Sequence, residues 1–172
     1  MKKLFVLFAT LLVCSCMCFA EEATVDPAEG YWLSFDEKTK EVTAGWKIWV
    51  EDGKLFGTIM STKGFPLDGK ADGTKGKGPY SDFPQKGEMC EMTTVGTTWI
   101  YNLEKASDGN WSKGKIVDPS DGNRYKCKIT FHVADGKKYA VDTLEMRGEI
   151  GMGIGRSQFW TKATAEEASA LR

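Results

Sequence analysis

The pair Asp-Gly recurs between short apolar runs of this chain, at Asp52-Gly53, Asp108-Gly109, Asp121-Gly122 and Asp135-Gly136. Asp tolerates and Gly readily adopts the left-handed backbone that closes a tight turn between antiparallel strands. A chain punctuated this way is confined to hairpins. The intervening runs are short and rich in aromatic and β-branched residues, which suit a pleated surface. Strands are expected near 31–36, 44–50, 54–61, 96–102, 111–117, 124–133, 139–147 and 155–161. Eight strands joined mostly by tight turns predict an all-β fold, an up-and-down antiparallel barrel. Closing the barrel also removes exposed sheet edges.

Alternation is clearest from 125 to 133. Tyr125, Cys127, Ile129, Phe131 and Val133 share one face, and Lys126, Lys128, Thr130 and His132 the other. Two other strands carry apolar residues on both faces. Trp46, Ile48 and Val50 oppose Trp49, and Leu55 and Ile59 oppose Phe56 and Met60. Their outer faces call for a cover: a loop, a helix or a partner. Residues 62–89 are rich in Gly, Lys and Pro without strand periodicity. A connection this long is a solvated loop or a lid. The Ala- and Glu-rich tail 163–171 predicts one short helix.

The first twenty residues read as an export leader. Lys2 and Lys3 precede the apolar stretch Leu4–Leu12, and Cys18-Phe19-Ala20 offers a cleavage site before Glu21. The expected organisation is a signal peptide over 1–20 and one barrel domain over 21–172. A second reading stays open. Val13-Cys14-Ser15-Cys16 resembles a lipoprotein box, in which a lipidated Cys16 tethers the domain to a membrane. Either reading places the protein outside the cytoplasm, in the periplasm or cell envelope.

The full chain has a formal net charge of −1, and loss of Lys2 and Lys3 makes it more acidic. Nucleic-acid binding needs a clear basic excess, so it is not expected. Three of the five cysteines lie in the leader. Cys90 and Cys127 are expected either as a disulfide, which an oxidising compartment permits, or as two separate thiols.

Several motifs invite chemistry. Gly148-Glu-Ile-Gly151-Met-Gly153-Ile-Gly155 looks like a phosphate loop, but a strand rather than a helix follows it, so a glycine hairpin is the better reading. Asp118-Pro-Ser-Asp121-Gly122-Asn123 lacks the acidic spacing of a calcium loop and reads as a turn. His132 is the lone histidine, on a polar face, and no nucleophile elbow is present. No catalytic residue, metal ligand or cofactor is assigned.

The residues assigned to ligand binding are Trp32, Trp46, Arg147, Arg156 and Trp160. The tryptophans, with Trp49 and Phe56, offer apolar surface. Either arginine, if it points inward, suits the acidic end of a small ligand. Gly30-Tyr31-Trp32 opens the first strand as Gly-x-Trp opens lipocalin-like barrels, where the indole plugs the closed end. Arg156 is expected to pack over that indole. An internal pairing of Arg147 with Glu145 or Glu149 competes with its ligand role.

Lys113-Gly114-Lys-Ile116-Val-Asp118-Pro119, Gly122 with Tyr125, Arg147-Gly148, and Gly155-Arg156 through Trp160 resemble a bacterial family of exported proteins, the domain of unknown function 2147. Asp52-Gly53-Lys54-Leu55-Phe56-Gly57 resembles its second hairpin. The resemblance runs from Gly30 to Trp160. It implies a lipocalin-like (calycin-type) barrel and an envelope location, and implies no activity. Many members carry a close cysteine pair in the central loop, where this chain has only Cys90. The expected function is non-catalytic binding of a small, partly apolar ligand. The alternative is a structural or protein-interaction module with a side-chain-filled barrel. An enzyme would require a cleft holding His132 or two close carboxylates.

Overall fold

The computed structural model describes residues 25–172. The expected leader, its cleavage site and the alternative tether at Cys16 lie outside the described residues. Eight antiparallel strands form a closed barrel in sequence order: β1 (Gly30–Phe35), β2 (Val42–Glu51), β3 (Lys54–Thr62), β4 (Thr98–Ser107), β5 (Asn110–Val117), β6 (Arg124–His132), β7 (Thr143–Gly151) and β8 (Ile154–Ala163). One helix, α1 (Ala165–Ser169), follows. Two of the Asp-Gly pairs, Asp52-Gly53 and Asp108-Gly109, close two-residue turns as expected, whereas Asp121-Gly122 and Asp135-Gly136 lie within longer connections. Asp52 and Gly53 both take positive φ in the β2–β3 turn, and Gly109 does so between β4 and β5. The glycine run ends as a hairpin too. Gly151 pairs with Ile154, leaving Met152 and Gly153 as a two-residue turn at φ 47° and 76°.

The seam that closes the barrel is short. β1 meets β8 through three pairs only: Tyr31 with Ala163, Trp32 with Lys162, and Leu33 with Thr161. These lie at the closed end, where Trp32 is fully buried. Its indole donates to the Ala28 carbonyl at 3.0 Å, and Phe131 meets it edge-on at 6.2 Å. The cation over the ring is Lys162, 4.4 Å from the centroid. Arg156 was expected there and sits near the start of β8, at the opposite end of the barrel, paired with Glu37 at 3.2 Å. The reason is register. Pairing of β8 with β1 puts position 162, not 156, beside Trp32.

Asp26 locks the same end. It is buried and accepts from the Ala28 amide (3.0 Å), the Trp111 indole (3.1 Å) and the Gly109 amide (3.3 Å), with Lys105 Nζ at 3.2 Å. Above this floor the barrel is filled by Ile48, Leu55, Leu103, Ile129, Leu144 and Trp160. The alternation read over 125–133 holds at Cys127 and Ile129, both fully buried. Val133 falls beyond β6 and is exposed.

Two departures have local causes. β7 begins at Thr143 rather than near 139, because Asp135 captures the amides of Lys137 and Tyr139 (2.8 and 2.9 Å) and Asp142 that of Ala134 (3.0 Å). Those side-chain bonds hold the segment as a loop. The long connection, 63–97, joins β3 to β4, and near the open end its Phe65, Lys70, Gly73 and Thr94 line a groove with Ile59 and Pro119. It lies on the outside of the wall. Phe83 packs on Trp99 (5.9 Å) and Tyr101 (5.4 Å), Met89 is fully buried, and Arg124 covers Tyr80 at 4.1 Å. Burial pushes the Tyr101 hydroxyl up to about 12 against the pull of Arg124. Elsewhere, α1 covers β2 and β3, with Ser61 Oγ donating to the Ala168 carbonyl at 2.7 Å.

Candidate functional site

The open end of the barrel holds a cavity of about 550 Å³. Its apolar wall is Trp46, Ile59, Ile116, Tyr125, Met146, Ile150 and Ile154, and its polar groups include Ser34, Asp118, Arg156 and Gln158. The void has a sequence cause. Inward positions of β7 run Leu144, Met146, Gly148, Ile150, and Gly148 supplies no side chain. A Cβ there would lie 3.6 Å from Tyr125 Cβ, 3.8 Å from Tyr125 Cγ and 4.0 Å from Ile116 Cγ2, which is ordinary contact. The floor is a stack of two indoles, Trp46 on Trp160, at 4.8 Å and 18°. Each is oriented by a hydrogen bond. Trp46 donates to Ser34 Oγ (3.3 Å) and Trp160 to Gln158 Oε1 (3.2 Å).

The five residues assigned from sequence separate into three places. Trp46 and Arg156 line the cavity, and Trp160 supports it from below. Trp32 lies at the closed end and is sealed from it. Arg147 points away from the interior: its guanidinium bonds Glu149 (2.9 Å) and the Gly153 carbonyl (2.9 Å) on the outer face. Arg147 therefore follows the internal-pairing reading. Trp49 and Phe56 also stay outside, stacked on each other at 5.8 Å. Sequence reasoning missed Ser34, Ile59, Ile116, Met146 and Gly148, while Gln158 shares a face of the last strand with Arg156 and Trp160. Strand parity carried the signal for all of them, but only a closed barrel says which inward positions reach the mouth.

The outer face of β6–β8 carries a ladder of paired charges. Glu145 accepts from Ser157 Oγ (2.6 Å) and lies 3.0 Å from His132 Nε2. Burial raises the Glu145 carboxyl, and the bonds to Ser157 and His132 more than offset this, leaving it below the usual range. Glu149 is held low by Arg147 and Lys128. His132 stacks on Tyr139 at 4.3 Å. In this ladder each acid is already bonded to a neighbouring side chain. A groove of similar volume runs beside it, lined by Phe35, Tyr139, Val141 and Phe159 among others. Cys90 and Cys127 are both free thiols, and burial pushes Cys127 well above the usual thiol range.

An eight-stranded up-and-down barrel, plugged at one end by a Gly-x-Trp indole and hollow at the other, defines the lipocalin-like class. The fold is similar to that of protein HP1028 from Helicobacter pylori, described as belonging to the lipocalin family. The TM-score is 0.60 at 13% sequence identity, over 81% of this chain and 85% of that one. At that identity the likeness shows the fold alone. The chain belongs to the bacterial family described as "Uncharacterized protein conserved in bacteria (DUF2147)", which it matches over residues 30–162. No curated protein matches it.

Proposed function

We propose that this chain is a non-catalytic binding protein, exported to the cell envelope, that holds a small and partly apolar ligand in the mouth of its barrel. One observation carries the reading: a cavity of about 550 Å³ opens above the Trp46–Trp160 stack, apolar on its walls and polar at its rim. Sites for small ligands have this size and this mixture, with a few polar groups that fix orientation. Gln158 and Ser34 supply neutral partners, and Arg156 supplies a cation at the rim. Among the described residues Arg156 is engaged only by Glu37, and the pair is exposed, so a ligand carboxylate or phosphate can compete for it. Envelope location rests on the leader and the family resemblance.

Native mass spectrometry of the protein purified from its own cells tests this. An added mass that survives gentle ionisation and leaves on unfolding is the expected result. A bare protein mass, together with no uptake of a fatty acid or other amphiphile in solution, overturns it. The interaction-module reading would then rest on the stacked Trp49–Phe56 pair on the outer wall.

A further inference from the structure

The β7–β8 hairpin breaks the rules of its own turn. Met152 occupies the first turn position at φ 47°, where Asn, Asp or Gly is favoured and a long side chain is strained. Its side chain gives the fold nothing in return, being 98% exposed. Ile150 and Ile154, on either side, are 70% and 58% exposed. A residue that stands against local preference without a packing gain points to a contact outside the fold. Ile150 and Ile154 also line the cavity, so this apolar tip is continuous with its mouth. Phe65 and Leu67, also exposed, follow the end of β3 at the same end of the barrel.

Charge supplies the second observation. Just below the rim, Lys115 of β5 lies directly across from Lys126 of β6, and Lys128 across from Arg147 of β7. Like charges in facing positions are unfavourable in a sheet. Glu149 lies directly across from Lys126 and is bonded to Lys128 and Arg147. Among the described residues, Lys115 and Lys126 have no ion-pair partner. An apolar tip beside four cations, Lys115, Lys126, Lys128 and Arg147, that share one carboxylate is complementary to an anionic lipid surface: apolar side chains enter the interface and lysines meet the headgroups.

We infer that the open rim docks on an anionic bilayer through Ile150, Met152 and Ile154, with Lys115 and Lys126 on the headgroups. The cavity mouth then faces the lipid. The test is flotation with phosphatidylcholine vesicles containing about a third phosphatidylglycerol, against phosphatidylcholine alone. The chain is exported and processed by its own host and carries Cys16→Ser, so that no acyl anchor contributes. Binding to the anionic vesicles is expected. Met152→Asn with Ile154→Ser should weaken it at least about tenfold. Asn suits the turn better than Met, so loss of binding in that variant is not loss of fold. Lys115→Glu with Lys126→Glu should weaken it by about fivefold per lysine, and the loss should shrink in high salt.

Equal flotation of the parent and the tip variant overturns the inference, as does failure of the parent to float. A vesicle-free dimer of the parent that the tip variant lacks also overturns it, assigning the tip to a second copy of the chain. The docking stands apart from the cavity reading. A Gly148→Leu variant with a filled cavity should float like the parent, even if no ligand is ever found.

Discussion

Gly45 and Ala168 are in backbone contact. A Cβ on Gly45 would lie 1.9 Å from the Ala168 carbonyl oxygen, the same oxygen that accepts from Ser61 Oγ. Gly45 and Ser61 are cross-strand partners in β2 and β3, so one pair of positions seats the whole helix. The helix has a capping box, with Thr164 and Glu167 bonding each other's backbone. Five residues are too few to hold a helix without such support. Gly45→Ala should therefore unseat α1 and cost about 1–3 kcal/mol, as overpacking does. Urea denaturation reads the loss, and amide exchange at 165–169 should accelerate. Ser61→Ala should show the same pattern more weakly, leaving the Ala168 carbonyl without its side-chain donor.

Asp26 makes the closed end sensitive to acid. Burial raises its carboxyl, but the Trp111 indole, the Ala28 and Gly109 amides and Lys105 outweigh burial, and its pKa is lowered. A carboxylate held below its unfolded value stabilises the fold fully above the unfolded pKa. That contribution is lost as pH falls through the folded value. Stability should therefore fall as the medium is taken below the usual carboxylate range. Asp26→Asn should flatten that part of the curve while lowering stability at neutral pH by about 1–3 kcal/mol, since donors lose their acceptor. Denaturant titrations across pH check both. An unchanged acid limb in the variant would sink the assignment.

The strands were legible because each one-sided run must bury one face, and period-two alternation states which face that is. The turns were legible because positive φ restricts residue choice. What alternation cannot give is the stagger between strands far apart in sequence. That is why Arg156 was set over Trp32 while Lys162 occupies the place. The same gap hid the cavity. Gly148 reads as one more turn glycine until closure shows that it lies beside Tyr125 and Ile116 on the cavity wall. The loop 63–97 lacks periodicity because its apolar residues are used irregularly: Phe83 packs on Trp99 and Tyr101 and Met89 is buried, while Phe65 and Leu67 stay exposed.

The two thiols should differ sharply. Cys127 is fully buried among the inward side chains of β6, and burial pushes its pKa far up. Reagents attack the thiolate, so Cys127 should stay unmodified in the native protein. Cys90 is half-exposed on the outer connection and should react. Alkylation followed by peptide mass analysis should label Cys90 first and Cys127 only after unfolding. A disulfide-linked peptide joining the two would contradict the structure.

Gly148 offers the sharpest handle on the cavity. Its φ is compatible with any side chain, and a Cβ is in ordinary contact with its neighbours. A Leu side chain at this position would project into space bounded by Tyr125, Ile116 and Met146. Filling an apolar void adds buried surface and contacts. Gly148→Leu should therefore keep or raise the melting temperature while abolishing ligand binding. Trp46→Ala should do the reverse to stability. It removes one ring of the Trp46–Trp160 stack and should cost about 3–5 kcal/mol, as large-to-small core changes do. Paired melting curves and ligand titrations separate the two effects. A stable Gly148→Leu protein that still binds its ligand at full affinity would place the ligand outside the barrel, and the groove at Phe35, Tyr139 and Phe159 is a second cavity of that size.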